Sequence, residues 1–301
     1  MELSILTVSF RSPEDTLRCL ESLESGGAEG VDWEMLVGDN GSGDIEALAT
    51  LQGHPRVRLL PGTENLGFGR ENNRLAVAAE GEFLLCLNPD TIVHPGTLAG
   101  LVRHLRNDSG CGACSPRLLN PDGSRQFSWN RNMGLAWETA EAFYLQNLWR
   151  ARQERNQLKA LPDGPWTVDF ASGACLCIRK GAWERVGGFD PDFFMNHEDI
   201  DLCHRLCCDG WTVQVLPGLS IVHFDSGTQK KDWTGFVHNR LSSKWIALPK
   251  LHTGTALAIA RALWFLGAGL RLTLSSLRSD PEGRQRRRGY LRAILERASF
   301  R

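Results

Sequence analysis

Four short apolar runs, separated by segments with helical periodicity, constrain the fold of this chain more than any other feature. "LSILTVSF" (3–10), "WEMLVGD" (33–39), "RVRLLPG" (56–62) and "EFLLCLNPD" (82–90) have the length of buried strands and are too short for helices. Ser12, Pro13 and Asp15 form a helix-start pattern after the first run. "NLGFGRENNRLAVAAEG" (65–81) reads as a glycine turn entering a helix that Gly81 can end. The resulting β-α-β-α-β-α-β order predicts an α/β fold with a mainly parallel sheet flanked by helices. Ligands of such open sheets gather beyond the C-terminal ends of the strands, where Phe10, Asp39 and Asp90 stand.

The rest of the chain extends this core. A helix is expected in "GLAWETAEAFYLQNLW" (134–149), a strand in "VDFASGACLCIRK" (168–180), a short helix from Gly181 and a closing strand in "WTVQVLP" (211–217). From about Asp232 the sequence reads as helical. At 301 residues, one main domain with an appendage is expected.

Charge divides unevenly. Residues 251–301 hold ten arginines, no lysine and three acids, against 24 basic and 32 acidic residues in the first 250. Two readings of the basic tail stay open: an anionic partner such as a membrane surface, and a solvated terminus. The start, "MELSILTVSF", lacks the basic region of a signal peptide, so the nine cysteines are expected as reduced thiols in a cytoplasmic protein. Cys111 and Cys114 have metal-pair spacing without a matching second pair, so zinc is not expected.

"FFMNHEDIDLCHRL" (193–206) concentrates the chemistry. In a helix beginning near Glu198, Asp199 shares an apolar face with Ile200, Leu202, Cys203 and Leu206. Glu198, Asp201 and Arg205 fall on the other face, where Asp201 and Arg205 make an i,i+4 surface pair. An acid in the first turn normally points to solvent. Burial of an unpartnered carboxylate costs several kcal/mol, so an inward Asp199 implies a site.

"SILTVSFRSPEDTLRCLESL", "VGDNGSGD", "NLGFGRENN", "LCLNPDT" and "GGFDPDFFMNHEDIDLCHRL" occur in the order typical of family 2 glycosyltransferases. The chain resembles that family, and within it the bacterial rhamnosyltransferase-like subgroup, over about residues 2–248. The resemblance implies a GT-A fold and inverting transfer of a sugar, best rhamnose from dTDP-rhamnose, to an acceptor hydroxyl. A lipid-linked glycan of cell-surface polysaccharide assembly is the implied acceptor. It also implies a divalent cation, Mg²⁺ or Mn²⁺, bound by Asp90 with His223, although Asn88 replaces the first acid found in many relatives. Asp199 matches the general base, and Glu198 would orient the acceptor or a loop. For the donor, Asp39 would meet the pyrimidine imide, and Val8 and Phe10 the base. Gly67 would allow close backbone approach, Arg70 or Asn73 would face the diphosphate, and Ser172 and Gly173 would line the sugar and acceptor site. Trp129, Trp137 and Trp166 could stack on sugars or belong to the core. The alternative is a non-catalytic nucleotide-sugar or glycan-binding protein, to which Asn88 points. A nucleotidyltransferase or dinucleotide-binding fold would need glycines after the first strand, and "SFRSPEDT" has none.

The expected division is a glycosyltransferase domain over 1–248, with a donor half at about 1–115 and an acceptor half at about 116–248, followed by a basic helical appendage at 249–301. Within the appendage, "TALAIARALWFLGAGL" (255–270) is shorter than a bilayer span of about 20 residues. An interfacial helix with Trp264 and Phe265 at headgroup depth is expected, reinforced by "RQRRRGYLR" (284–292), and would place the protein on the inner face of the cell membrane. Packing on the domain and a homodimer contact are the competing roles. No nucleic-acid partner is expected.

Overall fold

Alternation of side chains along the first strands explains why a two-sided core forms. Leu3, Ile5, Met35, Val37, Phe83 and Leu85 face one hydrophobic cluster, while Leu6, Leu36, Leu84 and Cys86 face another on the opposite side of the sheet. The structure, a computed structural model, describes residues 1–43, 45–131, 133–160, 164–225 and 232–300.

In chain order the first half comprises β1 (Leu3–Ser9), α1 (Pro13–Ser22), β2 (Trp33–Asp39), α2 (Ile45–Leu48), β3 (Val57–Pro61), α3 (Phe68–Ala78), β4 (Phe83–Leu87), β5 (Thr91–Val93), α4 (Thr97–Asn107) and β6 (Cys111–Leu119). The second half comprises β7 (Trp129–Asn130), α5 (Leu135–Ala142), α6 (Gln146–Ala160), β8 (Trp166–Val168), β9 (Phe170–Ala171), β10 (Cys175–Arg179), α7 (Lys180–Val186), α8 (Glu198–Cys208) and β11 (Thr212–His223). Three long helices close the chain: α9 (Trp233–Leu251), α10 (Gly254–Ser276) and α11 (Pro281–Glu296). Helix α9 runs through the expected division at 248.

The main sheet has the order β3-β2-β1-β4-β10-β6-β11-β5, with β8 added on β11. Strands β1 to β4 are parallel, as their sequence order predicts. Strand β10 then runs against both β4 and β6, and Cys175 at its start lies opposite Leu87 at the end of β4. This reversal brings the segment before β10 to the same edge as the ends of the parallel strands. The site is assembled there.

Local differences from the sequence reading have physical causes. Ser12 precedes α1 as expected, but its hydroxyl makes no capping bond, and Asp15 pairs with Arg18 instead. The expected strand at 168–180 breaks at Ser172–Ala174, because Ser172 N–H turns aside to the Ser128 carbonyl at 2.7 Å. The helix expected over 134–149 breaks after Ala142, where Tyr144 takes a left-handed conformation with φ 61°. All nine cysteines are free thiols, seven of them buried.

Helix α10 is longer than its apolar core suggested. It has 23 residues and is long and apolar enough to cross a membrane, and only 22% of its most apolar stretch is buried against the protein. Trp264 is the clearest correction to the interfacial reading: it is buried, donates Nε1–H to the Leu241 carbonyl at 3.1 Å and packs edge-on against Trp245. With Ala260 and Leu248 it forms a separate small core that joins α9 and α10.

Candidate active site

The end of β2 supplies the first polar group. Asp39 is 1% exposed; its Oδ1 accepts hydrogen bonds from the Ser42 amide at 3.1 Å and the Ser42 hydroxyl. Asp39 therefore caps this turn. Its Oδ2 has no hydrogen-bond partner among the described residues although it is buried, which leaves an acceptor for a ligand N–H. Val8 and Phe10 lie beside it, half-buried, since Val8 pairs with Gly38 and Ser9 with Asp39 in the β1–β2 register. The Arg11 guanidinium covers the Phe10 ring at 5.1 Å.

The turn entering α3 has a different task from the one expected. Gly67 adopts φ 81°, and a Cβ there would lie 2.0 Å from the Phe194 carbonyl oxygen, which accepts from the Phe68 amide at 3.1 Å. The close backbone approach is thus to the loop before α8. Arg70 and Asn73 bind that same loop: Arg70 Nε donates to the Pro191 carbonyl at 2.6 Å, and Asn73 both donates to the Phe189 carbonyl and accepts from its amide. The Asn73 amide is committed at both ends, a positioning role that differs from the expected contact with a diphosphate.

Asn88, Asp90 and His223 come together where β4, β5 and β11 meet. Pairing of His223 with Thr91, and the Phe224 amide donating to the Asp90 carbonyl at 2.9 Å, hold the two chain segments in register. His223 Nε2 lies 3.3 Å from Asp90 Oδ1 and 3.2 Å from Asn88 Nδ2. Its other nitrogen, Nδ1, lies 2.6 Å from Gln126 Oε1. An amide oxygen only accepts, so Nδ1 carries the proton; in the neutral ring the Nε2 lone pair accepts from Asn88 Nδ2 and borders Asp90. A carboxylate oxygen and an imidazole lone pair this close suit a shared cation, and the Gln126 contact is the orienting bond that metal-ligating histidines use. No group of three or more His, Cys, Asp or Glu side chains suited to a metal occurs among the described residues. Two protein ligands fit an ion that completes its sphere with substrate phosphates and water.

Two carboxyl groups stand at the start of α8. Asp199 Oδ2 accepts from the Gly173 amide at 3.1 Å and Oδ1 from the Ile200 amide at 2.9 Å. Glu198 is 6% exposed, and its Oε2 is buried without a hydrogen-bond partner among the described residues. Burial raises both pKa values; the neighbouring Asp199 charge raises that of Glu198 further, and the two backbone amides restrain the rise at Asp199. Of the two, Glu198 is held further towards its neutral form, while the backbone amides favour the ionised form of Asp199. Asn88 N–H donates to the Ala174 carbonyl at 2.9 Å, one residue beyond Gly173, so backbone bonds tie Asp199 to the Asp90 corner.

The expected split of α8 into a wet and a dry face needs correction. Glu198 is buried, and so is Asp201, which is 2% exposed and bonds Arg205 at 2.7 Å; this pair is not a surface pair. Arg205 also donates to the Val186 carbonyl at 2.6 Å. Asn196 and His197, just before α8, both have positive φ, at 68° and 69°, a strained entry that aims the acids. Burial lowers the His197 pKa to about 4.

Ser172 lies beside this corner, with its hydroxyl accepting from the Ala174 amide at 3.3 Å. Trp129, Trp137 and Trp166 do not stand open for stacking; all three are buried, and Trp129 packs edge-on against Trp166 at 5.5 Å.

Residues 4–187 match the profile of Glycosyl transferase family 2. The chain belongs to this family. Over 304 aligned positions, covering 95% of this glycosyltransferase and 96% of the relative, it is 31% identical to an N-acetylglucosaminyl-diphospho-decaprenol L-rhamnosyltransferase of Mycobacterium tuberculosis. It is 27% identical to the rhamnosyltransferase WbbL of Escherichia coli over 52% of this chain and 61% of that protein. Its fold is similar to that of a mannosyltransferase of Pyrobaculum calidifontis solved with GDP-Man and Mn²⁺, with a TM-score of 0.60, 17% identity, and coverage of 99% of this chain and 87% of that one. The GT-A arrangement expected of this glycosyltransferase is the one found.

Gln126 escaped the sequence reading. It lies in an aperiodic loop, and nothing in the sequence pairs it with a histidine 97 positions later.

Proposed function

We propose that this glycosyltransferase transfers rhamnose from dTDP-rhamnose to a hydroxyl of a lipid-linked glycan, with inversion at the sugar carbon. The reading rests on one observation above the others: the Asp90–His223 pair and the amide-held Asp199 occupy adjacent strand ends of one sheet edge. The sugar and the carrier rest on the mycobacterial and Escherichia coli relatives, whose names give rhamnose and, in the former, a diphospho-decaprenol.

The residues divide the work. Val8 and Phe10 flank the pyrimidine, and Asp39 Oδ2 accepts its imide N–H. Asp199 takes the proton of the acceptor hydroxyl as that oxygen bonds to the sugar carbon. The bond from that carbon to the diphosphate breaks, and its electron pair leaves with the nucleoside diphosphate. Glu198 keeps its proton, leaves the pair with a single negative charge and orients the acceptor. Asp90 and His223 would hold a divalent cation, Mg²⁺ or Mn²⁺, which would supply Lewis-acid stabilisation to the diphosphate. Gln126 holds the His223 ring with Nε2 presented.

A lipid-linked acceptor gives peripheral membrane contact a purpose. Ile259, Leu266, Leu270 and Leu274 on α10, with Leu277 just past its end, are exposed and fall in one stripe. The opposite stripe, Ala260, Trp264, Gly267 and Ala268, is buried against the protein, which favours a helix lying on the inner face of the membrane over one crossing it.

A screen of nucleotide-sugars by thermal stabilisation tests the donor. Stabilisation by dTDP-rhamnose that requires Mg²⁺ or Mn²⁺ supports the assignment. Preference for a UDP- or GDP-sugar would move it to another donor.

A further inference from the structure

A cavity of about 320 Å³ lies away from the Asp90 corner, between α5 and the three C-terminal helices. Its size falls at the lower end of the usual 300–1,000 Å³ of small-molecule sites. Four cationic side chains reach it, Arg240, Lys244, Arg271 and Arg286, against the single acid Glu141. The Glu141 carboxylate is already shared between Lys244 and Arg240, whose charges hold its pKa far below the usual range. Lys244 also pairs with Glu138 and Arg286 with Glu282, so four cations meet three acids and the cavity keeps a net positive charge.

The arginines are oriented by their surroundings. The Arg286 guanidinium stacks on the Trp233 ring at 3.8 Å and pairs with Glu282 at 2.6 Å, while its buried Nε–H has no partner among the described residues. Arg271 stacks on Tyr144 at 4.4 Å and donates to the Glu141 carbonyl at 2.6 Å. Planar guanidinium groups fixed in this way match phosphate oxygens. Between them the wall is apolar, with Leu241, Leu263 and Tyr290. Leu270 and Leu274, exposed on α10, flank Arg271. The chemistry is that of an anion carrying a hydrocarbon chain.

The cavity also adjoins the catalytic loop. On α9, Val237, Arg240, Leu241 and Lys244 form the cavity-lining face. The next residue round, Ser243, donates its hydroxyl to the Met195 carbonyl at 2.8 Å, and the Glu141 charge acts on His197, which precedes Glu198.

We propose that this cavity binds the diphosphate and first prenyl units of an isoprenoid-diphosphate-linked acceptor, with the rest of the chain leaving along the exposed leucines of α10. This rests on the glycosyltransferase reading and names the carrier chemistry of the same acceptor. The α9 wall then couples carrier binding to the loop that aims Asp199.

Geranyl diphosphate is the probe, titrated calorimetrically into the full-length protein beside inorganic pyrophosphate. Geranyl diphosphate should bind at least tenfold more tightly than pyrophosphate, and Arg286→Gln should weaken it at least tenfold. Leu263→Trp, which fills the cavity without touching a charge, should do the same and covers the case in which Arg286→Gln fails to fold. Absence of geranyl diphosphate binding, equal affinity for pyrophosphate, or equal binding to the folded Leu263→Trp variant would each overturn the proposal. Nucleotide-sugar hydrolysis by the unsubstituted protein is followed in parallel. Its absence would fail the glycosyltransferase reading itself, separately from any result with the prenyl probe.

Discussion

His223 lies between Gln126, 2.6 Å from Nδ1, and Asp90, 3.3 Å from Nε2 beside the Asn88 amide at 3.2 Å. The first contact selects the tautomer that lets the second group share a cation. Gln126→Leu removes the acceptor for Nδ1–H while leaving both ligands in place. Metal affinity, read from the Mn²⁺ dependence of donor binding, should fall about 10- to 100-fold. Unchanged Mn²⁺ dependence would reduce Gln126 to a loop-packing residue.

Asp90 contributes the only charged ligand of the pair, and its removal should cost more. Asp90→Ala should abolish metal-dependent donor binding, and His223→Ala should weaken it less. Wild-type transfer that persists in excess chelator would remove the cation from the account and leave cationic side chains to stabilise the leaving group.

The Glu198–Asp199 pair makes opposite demands on activity and stability. Both pKa values are raised in the folded protein, from usual values of 4.5 and 3.8. Such groups bind protons more tightly folded than unfolded. Their contribution to stability is full below those usual values and is lost as pH rises through the raised ones. At neutral pH the pair therefore destabilises the fold, and Glu198→Gln should raise the melting temperature at pH 7 but not at pH 4. Catalysis has the reverse sign: transfer should decline as pH falls through the raised Asp199 pKa, and Glu198→Gln, which replaces one neutral group by another, should leave that decline in place. Thermal melts and pH–rate profiles check both directions.

The sheet was legible because buried strands appear as uninterrupted apolar runs, and their polar ends marked Asp39 and Asp90. Periodicity also located α8 and singled out Asp199. It assigned Glu198 and Asp201 to solvent because a hydrophobic pattern scores residue type and cannot foresee a buried acid satisfied by Arg205. Arg70 and Asn73 were sought at the diphosphate for a similar reason: their partners are backbone carbonyls at 189 and 191, more than a hundred residues away. Trp264 carried an interfacial composition, yet the Leu241 carbonyl and Trp245 ring that bury it belong to another helix. Long-range pairing decided each of these cases, and local sequence does not encode it.

Lys244 is the buried keystone of the C-terminal helices, bonded to Glu138 at 2.7 Å and to Glu141. Lys244→Met would leave two carboxylates buried against Arg240 and His252 alone. A loss of about 3–5 kcal/mol is expected, as for other broken buried pairs. Denaturant unfolding measures it, and a loss under about 1 kcal/mol would mean that water reaches the cluster.

The exposed stripe on α10 should determine membrane contact. The full-length protein should float with anionic vesicles at low salt and detach as salt rises. Leu266→Gln with Leu274→Gln should weaken flotation at least tenfold. These variants are preferable to truncation after Lys250, which would strip α10 and α11 from α9 and expose its buried face. Failure of the unsubstituted protein to float at low salt would exclude the membrane role.

The central claim, that Asp199 is the base of a rhamnosyl transfer, is tested most directly by comparing wild type with Asp199→Asn. The assay supplies dTDP-rhamnose, Mg²⁺ and a prenyl-diphosphate-linked N-acetylglucosamine acceptor, and the transferred sugar is counted. The account predicts rhamnosylated product from wild type and a fall of roughly 10²-fold or more in the variant, with donor affinity unchanged. Near-normal transfer by Asp199→Asn, with donor bound as in wild type, would contradict it.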